Sequence, residues 1–323
     1  MRRKRRCVLV ALAGAAIAGA APLARAQAKV RTLGYLSNGA GPEGLAKDLA
    51  ARGHVVGRNL RIEVRMSAAD ERELEANARS LLATRPDVLV AWGGHNLQVL
   101  ARLTRTIPIV CGGTADPVGI GFAKTLRRPG GNITGLSYGV PEMSQVLVGL
   151  MREVRPGLKR IATFVEGHKP SAQAGWALIN RSIEEAARKE GLEWQQRVIA
   201  TRQDFDRALD PLDPGTSIAF VVSLPEIKFA VAAAEFLRRR LASACTDGSF
   251  VREGALMFYT LDHADPMGRV AAIIDALLRG ADPGDSPFEL PDRTTFMVNR
   301  RTARAIGLEL PASVITRATE IVG

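Results

Sequence analysis

From residue 31 to residue 298 one arrangement recurs: a short apolar run, then an amphipathic stretch. The apolar runs fall at 31–36, 60–66, 88–92, 107–111, 133–137, 160–165, 193–198, 217–222, 241–246, 255–259 and 295–298. Their length and apolar content are those of buried strands. Helical stretches lie between most of them, at about 42–52, 70–84, 96–105, 142–154, 171–190, 226–240 and 265–279. In 70–84, Asp70 and Glu73 make a capping-box pair, and Leu74, Ala78, Leu81 and Leu82 share one face. Strands joined through helices pair in parallel, and parallel sheets are covered on both faces. The expected fold class is therefore α/β, doubly wound. The strands outnumber those of one such sheet, and the length suits two lobes of about 120–150 residues. Turn residues cluster at 128–135 (Arg-Pro-Gly-Gly-Asn-Ile-Thr-Gly), the expected boundary, and again at 280–287.

The N-terminus reads as a targeting segment. A basic stretch, Met1 to Arg6, precedes an uncharged apolar run at 7–21 and then Ala24-Arg25-Ala26. This is the tripartite pattern of a secretory signal peptide, residues 1–26, with cleavage expected after Ala26. The apolar run is shorter than the ~20 residues a membrane-spanning helix needs. Arg5-Arg6 also suits the twin-arginine route. The formal charge of +11 falls to +5 once the six basic residues of this segment are removed. So modest a charge argues against nucleic acid as a partner. Cys111 and Cys245 could pair in an exported protein, but each ends an apolar run, and buried free thiols are the preferred reading.

Gly135-Leu-Ser-Tyr-Gly139 fits the G-x-S-x-G pattern of a nucleophile elbow. That motif needs a helix directly after the serine, whereas Gly139-Val140-Pro141 delays the expected helix to about Glu142. Neither His168 nor His263 stands in a recognisable triad setting. Gly93-Gly94 and Gly112-Gly113 each follow an apolar run but form no nucleotide-binding pattern. They suit close approach of a ligand at strand ends. Gly94-His95-Asn96 opens a helix, whose first N–H groups favour anions, with Asn96 alternatively a plain N-cap. Asp116 and Glu226 are placed either to cap their own turns or to meet a ligand. The four histidines show no metal-ligand spacing, so neither a metal nor a cofactor is expected.

Several segments together resemble one family: 55–64, Thr106-Ile-Pro-Ile-Val110, Asp116-Pro-Val118, 128–135, Gly254-Ala-Leu-Met257 and 299–311. The ordered set is similar to the ABC transporter substrate-binding proteins of tryptophan/tyrosine-type uptake. The resemblance implies a type I periplasmic binding protein fold, with two lobes, three hinge crossings and a ligand in the cleft. It also implies no enzymatic activity. The first helix is about a dozen residues shorter than the family's. Gly93-Gly94-His95 stands where Gly-Gly-Thr is usual, and Glu166-Gly167-His168-Lys169-Pro170 where Asn-Pro is usual. These departures fall where ligand selectivity is set.

On this reading lobe one is 27–135 plus about 254–282, and lobe two is 136–253 plus about 287–323. "GLSYG" becomes the first crossing, with Ser137 and Tyr138 at the base of the cleft. The expected function is a periplasmic solute-binding protein that captures a small carboxylate or amino acid, aromatic ones included, by hinge closure. Expected ligand contacts are Ser37, Asn38, Gly94, His95, Asn96, Thr114 and Asp116 from lobe one. Ser137 and Tyr138 contribute from the crossing, and Glu166, His168, Ser223, Glu226, Phe250 and Tyr259 from the rest. Trp92 is a further aromatic candidate. The partners are a small molecule and, transiently, an inner-membrane ABC permease, with the protein itself a monomer. Two rivals are a sensor presenting its closed form to a membrane receptor, and a secreted hydrolase using Ser137.

Overall fold

Five of the apolar runs pair into one parallel sheet: β1 (Arg31–Ser37), β2 (Leu60–Met66), β3 (Val88–Trp92), β4 (Ile109–Thr114) and β5 (Ile133–Ser137), in the order β2-β1-β3-β4-β5. The computed structural model describes residues 30–323, except 38, 40, 67–69, 168–169 and 225–226, and no side chains over 170–176. The expectations for the presequence, Asn38, His168 and Glu226 lie outside the described residues. Three helices connect these strands: α1 (Glu43–Ala51), α2 (Glu71–Ala83) and α3 (Gly94–Leu103). Asp70 caps α2 by accepting from the N–H groups of Arg72 and Glu73 at 2.8 and 3.1 Å, and Leu74, Ala78 and Leu81 are buried beneath it. β4 begins after Pro108, which has no N–H for the ladder, and runs on to Thr114. Gly112 and Gly113 therefore lie inside a strand and not in the turn beyond it.

The second sheet is assembled from α4 (Val140–Val154), β6 (Arg160–Glu166), α5 (Pro170–Lys189), β7 (Glu193–Ile199), α6 (Arg202–Leu209), β8 (Ser217–Val221), α7 (Phe229–Arg238), β9 (Ala242–Cys245), α8 (Gly248–Arg252) and β10 (Met257–Asp262). The chain then returns to the first lobe as α9 (Pro266–Leu278). It re-enters the second as β11 (Arg293–Asn299), α10 (Arg300–Ala305), α11 (Ala312–Arg317) and β12 (Glu320–Val322). The strand order is β12-β11-β10-β9-β8-β6-β7.

Both lobes are doubly wound. In the first, Leu45 and Leu49 of α1 and Val270 and Ile274 of α9 cover one face, and α2 and α3 cover the other. In the second, α4 and α5 with Ala303 and Val314 cover one face, and α6, α7 and α8 the other. Full burial of each such side chain contributes about 1.5–3 kcal/mol. This burial fixes α9 to the first lobe although its sequence neighbours belong to the second.

Three expectations change. The segment 254–282 does not return as one piece: β10 stays in the second sheet, and the return begins after Asp262. The second sheet is not wholly parallel, because β10 and β11 run antiparallel, with Tyr259 opposite Phe296. The reason is the route, since the chain leaves at the carboxyl end of β10 and re-enters from that same end. Finally, α6, α8, α10, α11 and β12 add to the expected elements.

Candidate functional site

Every crossing between the lobes leaves or enters at one end of a sheet. The first follows Ser137 at the carboxyl end of β5, the second follows Asp262 at the carboxyl end of β10, and the third precedes Arg293. The carboxyl ends of the parallel strands in both sheets therefore meet around the crossings, where open α/β sheets place their ligands. The crossings hold one another. Ser137 N–H donates to the Glu289 carbonyl and Glu289 N–H to the Gly135 carbonyl, both at 2.9 Å. His263, 3% exposed, donates from Nε2 to the Ser137 carbonyl at 2.8 Å. Arg269 reaches Glu289 Oε2 at 2.7 Å and also pairs with Asp292, while Arg293 pairs with Asp262. Gly139 starts α4 with φ of 61°, and a Cβ there would lie 3.3 Å from Pro291 and 3.5 Å from Leu261. α4 begins at Val140, two residues earlier than expected.

Two cavities open at the second sheet, the smaller of them reaching the first crossing. One, of about 260 Å³, lies between the first turns of α4 and the ends of β8, β9 and β10, with walls that include Tyr138, Met143, Phe220 and Tyr259. The other, of about 510 Å³, includes Ser223, Phe229, Asp247 and Phe258.

Residues 37–322 match the model of a family described as ABC transporter substrate binding protein. This chain belongs to that family. It is 22% identical over 272 residues to the "Tyrosine-binding protein" of Clostridioides difficile (strain R20291), spanning 83% of this chain and 76% of that protein. Among solved structures, it resembles the ligand-free, open form of a substrate-binding protein with adhesive properties from Clostridium difficile. That likeness has a TM-score of 0.67 and 20% identity, over 91% of this chain and 99% of that one. It also resembles an ABC domain from Streptococcus pneumonia in complex with L-Trp, at TM-score 0.62 and 20% identity, over 90% and 99% of the two chains. The two lobes have the type I periplasmic binding protein fold. The chain is a substrate-binding protein of the ABC transporter family, whose members are extracytoplasmic, bind small molecules and work with ABC permeases. Among the described residues no helix is long and apolar enough to cross a membrane.

The expected ligand residues separate into groups. Ser37, Thr114 and Ser137 end their strands and are buried. Ser37 stands opposite Trp92, and Tyr138 N–H donates to the Thr114 carbonyl at 2.7 Å. Gly94 and His95 are exposed at the start of α3. Glu166 closes β6 with its side chain buried, and no ion pair or hydrogen bond meets its carboxylate among the described residues. Ser223 is half-buried beside the larger cavity. Tyr138, 48% exposed, and Tyr259 share the smaller cavity.

Three assignments are corrected. Asn96 is 2% exposed and is neither an N-cap nor free for a ligand. Its Nδ2 donates to the Trp92 carbonyl at 2.6 Å and the Leu36 carbonyl at 3.5 Å, tying α3 to the ends of β3 and β1. Phe250 is core: its ring stacks on Phe229 at 4.6 Å and 11°. Asp116 Oδ1 accepts from Gly119 N–H at 2.8 Å and Val118 N–H at 3.2 Å, so it shapes its own turn. The glycines of β4 change meaning as well. A Cβ on Gly112 would lie 2.3 Å from the Trp92 ring, and one on Gly113 2.4 Å from the Tyr138 ring. The space that glycine leaves is filled by aromatic side chains of the protein itself.

Cys111 and Cys245 are free and buried, in β4 and β9 respectively. Burial pushes both thiols up to about 12, so neither forms a thiolate near neutral pH. The sequence reading missed Met143, Phe220, Phe258 and Leu261 as cavity walls. The signal was present: Val140, Met143 and Leu147 repeat at helical spacing, but such a face also reads as ordinary core.

Proposed function

We propose that this protein is exported, with the signal peptide removed near Ala26, and that it captures an aromatic amino acid or aromatic carboxylate between its lobes. The observation that carries this reading is the largely apolar cavity at the crossings, walled by Tyr138, Phe220 and Tyr259. The names of the tyrosine-binding relative and of the L-Trp complex support the same ligand class. The start of α3, with Gly94 and His95 exposed, offers N–H groups to the ligand carboxylate. Ser37, Thr114 and the loop of Asp116 complete lobe one, Ser137 belongs to the crossing, and Asn38 is assigned from the sequence alone. From lobe two come Glu166 and Ser223, with His168 and Glu226 assigned from the sequence alone, and a carboxylate there suits a ligand ammonium. A ligand touching both lobes shifts the open–closed equilibrium toward closure, and the closed monomer docks transiently on a permease.

Titration calorimetry with L-tryptophan, L-tyrosine and phenylacetate tests the ligand class. Saturable binding at one site is expected, weakened by His95→Ala and Glu226→Ala and unchanged by Lys189→Ala on the far end of α5. Equal affinity in all three variants would place the site elsewhere.

The same reading leaves Ser137 without a catalytic role. Its side chain is 1% exposed, its Oγ accepts from Gly139 N–H at 3.1 Å, and His263 bonds its carbonyl and not its hydroxyl. Ser137→Ala should cost about 0.5–1.5 kcal/mol of stability through that lost hydrogen bond. Hydrolysis of p-nitrophenyl acetate should stay at background before and after the change. An esterase activity that disappears in the variant would defeat the binding-protein reading.

A further inference from the structure

The smaller cavity is assembled almost entirely by one lobe. Val140, Met143 and Leu147 come from α4, Phe220 from β8, and Tyr259 and Leu261 from β10. Ile179 of α5, Cys245 of β9 and Thr246 just after it complete the second-lobe wall, and Tyr138 comes from the first crossing. Apart from Tyr138, whose ring lies against Gly113 of the first lobe, the walls are therefore in place whatever the first lobe does. An apolar cavity of about 150 Å³ accepts benzene. At about 260 Å³ this one has room for a substituted or fused ring.

Its polar chemistry is sparse and specific. The Thr246 hydroxyl donates to the Val222 carbonyl at 2.9 Å, and the Cys245 thiol donates to the Asp247 carbonyl at 3.2 Å, so both are already engaged. Among the described residues neither the Tyr138 hydroxyl nor the Tyr259 hydroxyl has a hydrogen-bond partner. Among the described residues no acidic or basic side chain lines the cavity. A sugar would bury several hydroxyls against one or two partners, each unmet group costing about 1–3 kcal/mol. A charged group would meet no opposite charge there. A flat apolar ring with one hydrogen-bonding group leaves nothing unmatched.

We propose that this slot is the ring-binding half of the ligand site, prebuilt in the second lobe, and that it accepts a phenol- or indole-sized ring before the lobes close. The proposal rests on the aromatic-ligand reading but makes a separate claim, that ring recognition needs neither the amino acid head group nor closure. Tyr138 and Tyr259 set the polarity of the ring that fits. The head group is left facing the first lobe.

Met143 reports on the slot directly. The protein is labelled with ¹³C-methyl methionine, and the Met143 resonance is assigned by its loss in Met143→Leu. Indole and p-cresol, which carry rings but no head group, are titrated alongside L-tryptophan and L-tyrosine, with calorimetry on the amino acids in parallel. A saturable upfield ring-current shift of Met143 is expected with both fragments. Met66 and Met267, which sit in the first lobe, should not move with the fragments. If the amino acids bind by calorimetry while Met143 stays still, the slot proposal is overturned and the aromatic-ligand reading survives. If the fragments move Met143 but the amino acids do not bind, the slot stands and the amino acid reading falls. If neither fragment moves Met143, the slot proposal fails.

Discussion

Gly135→Ala is expected to lower the stability of the whole protein by more than about 3 kcal/mol, the range of severe backbone and core lesions. Gly135 has φ of +139°, a region that side chains rarely enter. In the ladder it stands opposite Cys111, and a Cβ would lie 2.2 Å from the Cys111 carbonyl oxygen and 2.6 Å from its nitrogen. These are backbone atoms of β4, which is itself held between β3 and β5. No rotamer change relieves the contact, so one strand must move away from the other. The stiffening of the unfolded chain that alanine brings, worth about 0.4–1 kcal/mol, is too small to offset this. Urea unfolding checks the expectation through a large drop in midpoint, and an unchanged midpoint would sink it. Ser137 and Tyr138 follow two and three residues later, so a displaced β5 would also misplace the first crossing.

The same sheet shows what could and could not be read from sequence. Central parallel strands are buried on both faces, so β1, β3 and β4 stand out as largely apolar runs, and they were legible for that reason. Direction in the second sheet was not. β10 and β11 look alike locally, and their antiparallel pairing follows from the path of α9 through the other lobe. Short elements were also lost: α6 has a capping box between Thr201 and Asp204, but only Phe205, Ala208 and Leu209 of its residues are buried. Site residues failed where one local feature had two outcomes. Gly93, at φ of 96°, starts α3 early enough that Asn96 lands inside the first turn and reaches back to two carbonyls. Phe250 is near the cleft in sequence, yet the single turn of α8 directs it onto Phe229. Legible, then, were the strand ends that form the cleft. Which side chains fill it depended on turns only one or two residues long.

Gly113 poses the opposite case to Gly135 and should affect binding far more than folding. Its backbone φ lies outside the left-handed region, so alanine brings no backbone strain. The atoms a new Cβ would strike are Cζ and the hydroxyl of Tyr138, 2.4 Å away, at the far end of a side chain that is 48% exposed and able to swing aside. Gly113→Ala should therefore change stability by less than about 1 kcal/mol. The displaced ring, however, is one wall of the 260 Å³ cavity and carries one of its two free hydroxyls. Affinity for the aromatic ligand should fall about tenfold, a loss of about 1.4 kcal/mol. Tyr138→Ala removes the same wall and should weaken binding to a similar degree. If displacement of that ring is the cause, the double variant Gly113→Ala/Tyr138→Ala binds no more weakly than Tyr138→Ala alone, because the second change has nothing left to move. Calorimetry on the four proteins of this cycle decides the point. Losses that simply add would mean that Gly113 acts on the ligand by some route other than Tyr138.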